Sequence, residues 1–157
     1  MTTMEGEDKK LFYRRRALIP KQLRSQQLKV KQALRAALIP EMADFRFDVC
    51  LECALAGDNE RLALYRSRDG KKYAYDVSHI RPLSLLICDW LHETGRCWED
   101  LIQKRCVLAE PHWSDWCSWH RKYSVENGNL FLQPRGLNYR ESRVVCPLPS
   151  RGEYGPF

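Results

Sequence analysis

Cys50-Leu-Glu-Cys53 spaces two thiols as C-x2-C, the interval at which a tight turn lets two thiolates converge on one tetrahedral metal ion. Cys117-Ser-Trp-His120 offers the complementary half, a thiol and an imidazole turned the same way across one helical turn. Together Cys50, Cys53, Cys117 and His120 compose a Cys3His set suited to structural Zn2+. A second, looser grouping is His92, Cys97, Cys106 and His112, so one zinc or two remain open at this level. Packed cysteines and surface histidines account for the same residues without metal. Cys146 has no nearby partner and reads as core. The seven cysteines are odd in number and unevenly spaced, and Met1 to Asp8 lack the early positive charge and apolar run of a signal peptide. Both features point to reduced thiols and to a nuclear or cytoplasmic setting.

The order of a Cys pair, a hairpin and a later helix carrying the second pair resembles a treble-clef zinc module, with 63 residues between Cys53 and Cys117. Asp76-Val-Ser-His79-Ile-Arg-Pro82 resembles the segment around the catalytic histidine of HNH nucleases, in which a C-x2-C often lies upstream. That resemblance implies a His79 that activates water while a divalent metal stabilises the scissile phosphate. Ser78 stands where that family carries an acidic residue. Its further Asn and His are absent at the close downstream spacing of that family, and Asn129 and His120, the residues to nominate, stand in reversed chain order. Read without the resemblance, a lone histidine at a strand end is structural. No Walker loop, dinucleotide-binding glycine fingerprint or G-x-S-x-G elbow occurs, which disfavours the common cofactor enzymes.

These residues need elements to position them. Pro20 suits the first position of a helix, and Lys21 to Leu38 contains neither Gly nor Pro. At about 100° per residue Lys21, Arg24, Lys31 and Arg35 share one sector, opposite Leu23, Val30, Leu34, Ala37 and Leu38. Ala17-Leu-Ile-Pro20 recurs as Ala37-Leu-Ile-Pro40, two helix boundaries rather than a repeat. Phe45, Phe47 and Val49 alternate with charged residues up to Cys50, a strand pattern. Arg61 to Ser67 and Lys72 to Val77 flank Arg68-Asp69-Gly70-Lys71 and predict a hairpin. Helices are expected over Pro82 to His92 and Trp98 to Val107, parted by Thr94-Gly95. Trp113, Trp116 and His120 are spaced for one helical face after Pro111. Asn127-Gly128 turns into a strand over Leu130 to Gln133, Arg143 to Cys146 is a last strand, and 147–157 reads as an irregular tail.

The expectation is therefore an α+β protein: a basic helical arm over 1–40, then a Cys/His/Trp-rich, zinc-supported, treble-clef-like domain over 41–146. At 157 residues such a chain buries a core without disulfides. The longest apolar run, Leu83 to Cys88, is far below the roughly 20 residues of a membrane span. The net charge of +6 is lopsided: residues 9–40 hold ten Lys or Arg and no acid, while 41–157 carry 16 basic against 17 acidic residues.

Two functions follow. An acid-free cationic helix, with Arg14, Arg15 and Arg16 before it, attracts phosphates of RNA or DNA with little sequence specificity; a solvated face or an import signal is the bland alternative. Equally, the apolar side of the arm and one or two exposed residues among Trp113, Trp116 and Trp119 suit a non-enzymatic adaptor that binds a protein partner. In composition the chain resembles small regulatory proteins of viruses that join a basic arm to a Cys/His/Trp-rich body.

Overall fold

The computed structural model describes residues 21–68, 72–73, 75–102, 108–134 and 148–151. Helix α1 spans Lys21–Ala37 and begins directly after Pro20. A single residue, Leu38, separates it from α2, Ile39–Leu55, whose second position is Pro40. The Leu38 N–H turns back to the Arg35 carbonyl at 3.1 Å, which deprives the Leu34 carbonyl of its ordinary helical donor. Another helix supplies the replacement: the Trp116 indole N–H donates to the Leu34 carbonyl at 2.9 Å, and the Cys117 thiol lies 3.6 Å from that of Ala37. The end of α1 is thus capped by side chains from α5, His112–His120.

The apolar side of α1 lies inside the protein. Val30, Leu34, Ala37 and Leu38 join Leu86, Ile87, Cys88, Trp90 and Leu91 of α4, Leu83–Thr94, in one core with Trp98, Leu101, Leu108, Trp116 and Leu148. Helix α1 is therefore part of the body, and the apolar face that its sequence offers to a partner is occupied from within the chain. Pro82 and Gly95 bound α4 as its sequence implies, Gly95 adopting the left-handed conformation (φ 66°) that ends a helix. The helix expected over Trp98 to Val107 is shorter: a 3-10 turn covers Trp98–Leu101, and Ile102 is already extended. Residues 103–107 lie outside the described set. Residues 148–151 form neither helix nor strand but dock on this turn, with the Trp98 N–H donating to the Pro149 carbonyl and Ser150 and Arg151 bonded to Glu99 and Asp100.

The expected strand over Phe45 to Cys50 is a helix. Its alternation does not match the burial, which runs in pairs: residues 41–42, 45–46 and 49–50 are half-buried, whereas 43–44 and 47–48 are exposed. That four-residue period belongs to a helix lying on a surface, and the stretch from Glu41 to Ala56 has no Gly or Pro to break it. The first arm of the expected hairpin is also largely helical. Asp58 caps α3, Asn59–Tyr65, by accepting from the Arg61 N–H at 3.1 Å. Of the expected hairpin only β1, Ser67–Arg68, pairs antiparallel with β2, Lys72–Tyr73, and residues 69–71 lie outside the described set. The second ribbon joins β3, Tyr75–His79, antiparallel to β4, Leu130–Pro134, in register from Tyr75 opposite Pro134 to His79 opposite Leu130. Mixed helix and small antiparallel ribbons make the protein α+β. The strand expected over Arg143 to Cys146 lies outside the described residues.

Candidate functional site

The site grows from the end of β3. Gly128 (φ 70°) makes the turn before β4, and Asn129 then clasps the chain beyond His79. Its carbonyl accepts the Ile80 N–H at 2.8 Å and its side-chain oxygen accepts the Arg81 N–H at 2.9 Å. Its own N–H donates to the Ser124 carbonyl at 2.9 Å, within the π turn Arg121–Val125 that continues α5. Asn129 therefore joins the ends of β3 and α5. Those ends carry His79 and His120.

The two imidazoles meet edge to face, with Nε2 of His79 2.8 Å from Nε2 of His120. On its other side the His120 Nδ1 lies 2.7 Å from the Glu41 carboxylate in the first turn of α2. Arg121 approaches the second oxygen of Glu41 at 3.4 Å. His120 is fully buried and packs beside Trp116, while His79 is 9% exposed. A carboxylate only accepts, so Nδ1 of His120 donates to Glu41. Burial pushes the His79 pKa down to about 3, with His120 and Arg35 adding to the effect, so His79 is neutral near pH 7. The neutral His79 meets Nε2 of His120 with its own Nε2, which completes a buried line Glu41, His120, His79.

The structure does not bring the first metal set together. Cys50 and Cys53 lie within α2 rather than in a turn, about 14 and 18 Å along the helix axis from Glu41, the residue that holds His120. Ligands of one zinc ion must lie within a few Å of each other, as its ~2.0–2.3 Å bonds require. Cys117 sits at the end of α1 instead. Burial raises its pKa, Glu41 adding to the rise, so it stays a thiol and is placed to donate to Ala37. In the second set His92 is exposed on α4, Cys97 begins the 3-10 turn, and Nδ1 of His112 accepts the Arg96 Nε–H at 2.9 Å. Desolvation and Arg96 lower the His112 pKa. Cys106 is outside the described set. Among the described residues no three His, Cys, Asp or Glu side chains converge to hold a metal.

The cationic residues divide similarly. Arg14, Arg15 and Arg16 and the side chain of Lys21 lie outside the described residues, while Lys29 and Arg35 are exposed and Arg24 and Lys31 partly so. Trp116 is buried, Trp119 is stacked between Trp116 and Tyr123, and Trp113 is 44% exposed. The sequence singles out His79, His120 and Asn129 but not Glu41 or Arg121. An acid directly after Pro40 marks a helix start, yet nothing in its spacing ties it to a residue 79 positions later. No family model, curated protein or solved structure matches the chain.

Proposed function

We propose that the protein binds nucleic acid through the outward side of α1, as a regulatory factor without base-specific readout. The observation that carries this reading is the anchoring of α1. Val30, Leu34, Ala37 and Leu38 hold one side in the core, which leaves Arg35 exposed and Arg24 and Lys31 partly exposed in one sector of a helix that carries no acid. A helix fixed in this way presents its cations as a preformed row, so phosphate contacts need little further ordering. Arg14, Arg15 and Arg16 precede α1 in the chain with the same sign of charge. Zinc is not needed for this arrangement, since α1 is held by packing and by the indole of Trp116.

Changing Lys21, Arg24, Lys31 and Arg35 together to Gln tests it. Affinity for unrelated oligonucleotides should fall alike, with the thermal midpoint held, because the described side chains of this group do not enter the core. Unchanged affinity in the variant would remove α1 from the interface.

A second reading, metal-dependent phosphodiester hydrolysis in the manner of HNH nucleases, is favoured by one observation: the pairing of His79 with His120 beside Asn129. Here Nδ1 of His79 would accept from and orient the attacking water, and the line through His120 to Glu41 would hold the ring. Cleavage of plasmid or RNA in Mg2+ or Mn2+, abolished by His79→Ala, is the outcome it requires; no cleavage by the wild type ends it.

A further inference from the structure

Helix α2 is apolar on the side turned away from the protein as well as on the side turned toward it. Phe47 is 66% exposed, Leu51 46% and Leu55 81%, and Ala43 precedes them at the same spacing. Steps of four residues advance about 40° around a helix, so these side chains form one continuous row of roughly 18 Å. A soluble surface helix ordinarily places its polar residues there. One residue further round, Asp44, Asp48 and Glu52 repeat the same interval as a parallel row of exposed carboxylates. None of the three has an ion-pair partner among the described residues. Such a row is notable in a protein of net charge +6.

The charges select the occupant. Nucleic acid and anionic lipid are repelled by three carboxylates along the row. A second copy placed antiparallel about Phe47 maps each flank onto the same flank of its partner, setting six carboxylates side by side. A parallel copy sets them instead across from Cys50 and Ala54, with Arg46 turned toward the Tyr65 carbonyl at 3.5 Å. The antiparallel pair supplies no cation, and the parallel pair supplies from this flank only Arg46 against three carboxylates. A helix with an apolar stripe flanked by Lys or Arg satisfies both rows at once, burying its stripe on Phe47, Leu51 and Leu55 and pairing its flank with Asp44, Asp48 and Glu52. We propose that the outer face of α2 is the docking site for a basic amphipathic helix of a partner protein. These residues belong to α2 and the proposed phosphate contacts to α1, so the two ligands use different side chains.

Two synthetic helical peptides of roughly 18 residues, with the same leucine stripe but Lys or Glu along its flanks, serve as probes in fluorescence anisotropy with the full chain. The Lys peptide should bind despite the like net charge of the protein. Phe47→Asp should weaken it at least about tenfold, as loss of a central apolar anchor does. The joint change of Asp44, Asp48 and Glu52 to Lys should reverse the preference toward the Glu peptide. All these positions are exposed, and an unchanged thermal midpoint verifies the fold of each variant. No binding of the Lys peptide, or binding indifferent to both variants, overturns the proposal. Sedimentation showing a dimer that Phe47→Asp dissociates overturns it too and assigns the face to a second copy.

Discussion

His79 and His120 lie 41 residues apart in the chain, yet their Nε2 atoms are 2.8 Å apart in the fold, and Glu41 fixes the far side of His120 at 2.7 Å. This line ties β3, α5 and α2 together where the ribbon of β3 and β4 meets the helices. Two neighbouring polar groups, the Ser78 hydroxyl and the Gln133 amide, are buried in the same ribbon without a hydrogen-bond partner among the described residues, so the region is more polar than its burial alone would suggest.

Replacing His120 by Ala removes a fully buried ring and leaves both Glu41 and His79 without it. A buried carboxylate deprived of its partner and a side-chain cavity each destabilise, and together they should lower unfolding free energy by about 3–5 kcal/mol. Urea unfolding followed by tryptophan fluorescence measures this. A loss below about 1 kcal/mol would show that the line contributes little to the fold.

The depressed His79 sets a direction for pH dependence. Above its ordinary value of 6.5 the ring is neutral in both folded and unfolded chains. As pH falls below 6.5 the unfolded chain takes up a proton that the fold refuses, and stability drops until the folded ring also titrates near pH 3. Between pH 7 and pH 5 this one group should account for about 2 kcal/mol of lost stability. In His79→Gln that share of the pH dependence should vanish. Equal pH slopes in wild type and variant would contradict the assignment.

Trp116 acts as both core and cap. Trp116→Phe keeps most of the apolar ring but removes the donor to the Leu34 carbonyl, a penalty of about 1–3 kcal/mol for a buried group left unpaired. Trp113→Phe, at a half-exposed ring on the same helix, should change stability by no more than about 0.5 kcal/mol. Thermal unfolding of the two variants side by side separates the cap from mere helix content.

Since α1, α4 and α5 close their core by aliphatic and indole packing, and Cys50 and Cys53 stand far along α2 from Cys117 and His120, chelation should leave the melting of these helices unchanged. Circular dichroism melts with and without a strong chelator, with zinc measured by mass spectrometry on the same samples, check this. A chelator-induced loss of helix with release of one equivalent of zinc would restore a metal-supported fold.

Local punctuation is the part of the fold most legible in the sequence. Pro82 and Gly95 bound α4, Gly128 makes the turn before β4, and Pro20 precedes α1, because each residue acts through its own backbone geometry. Helix α2 reads as a strand because its outward side is apolar, so Phe45, Phe47 and Val49 mimic the alternation of one. Its doublets of burial appear only once the neighbouring elements are in place. Grouping the cysteine pairs by spacing presumes a turn at Cys50, and a continuous helix there separates them. Glu41 is not legible in the sequence, since its bond to His120 depends on how α2 leaves Leu38 and where α5 ends.

The central claim is that α1 contacts phosphates, and the salt dependence of binding reads this most directly. Anisotropy of a labelled single-stranded oligonucleotide across a series of salt concentrations should give a straight line of log affinity against log salt. The four-Gln variant should have a slope shallower by roughly three, near 0.7 for each phosphate that the variant no longer neutralises. Identical slopes in wild type and variant, or no binding by the wild type at low salt, would contradict the account.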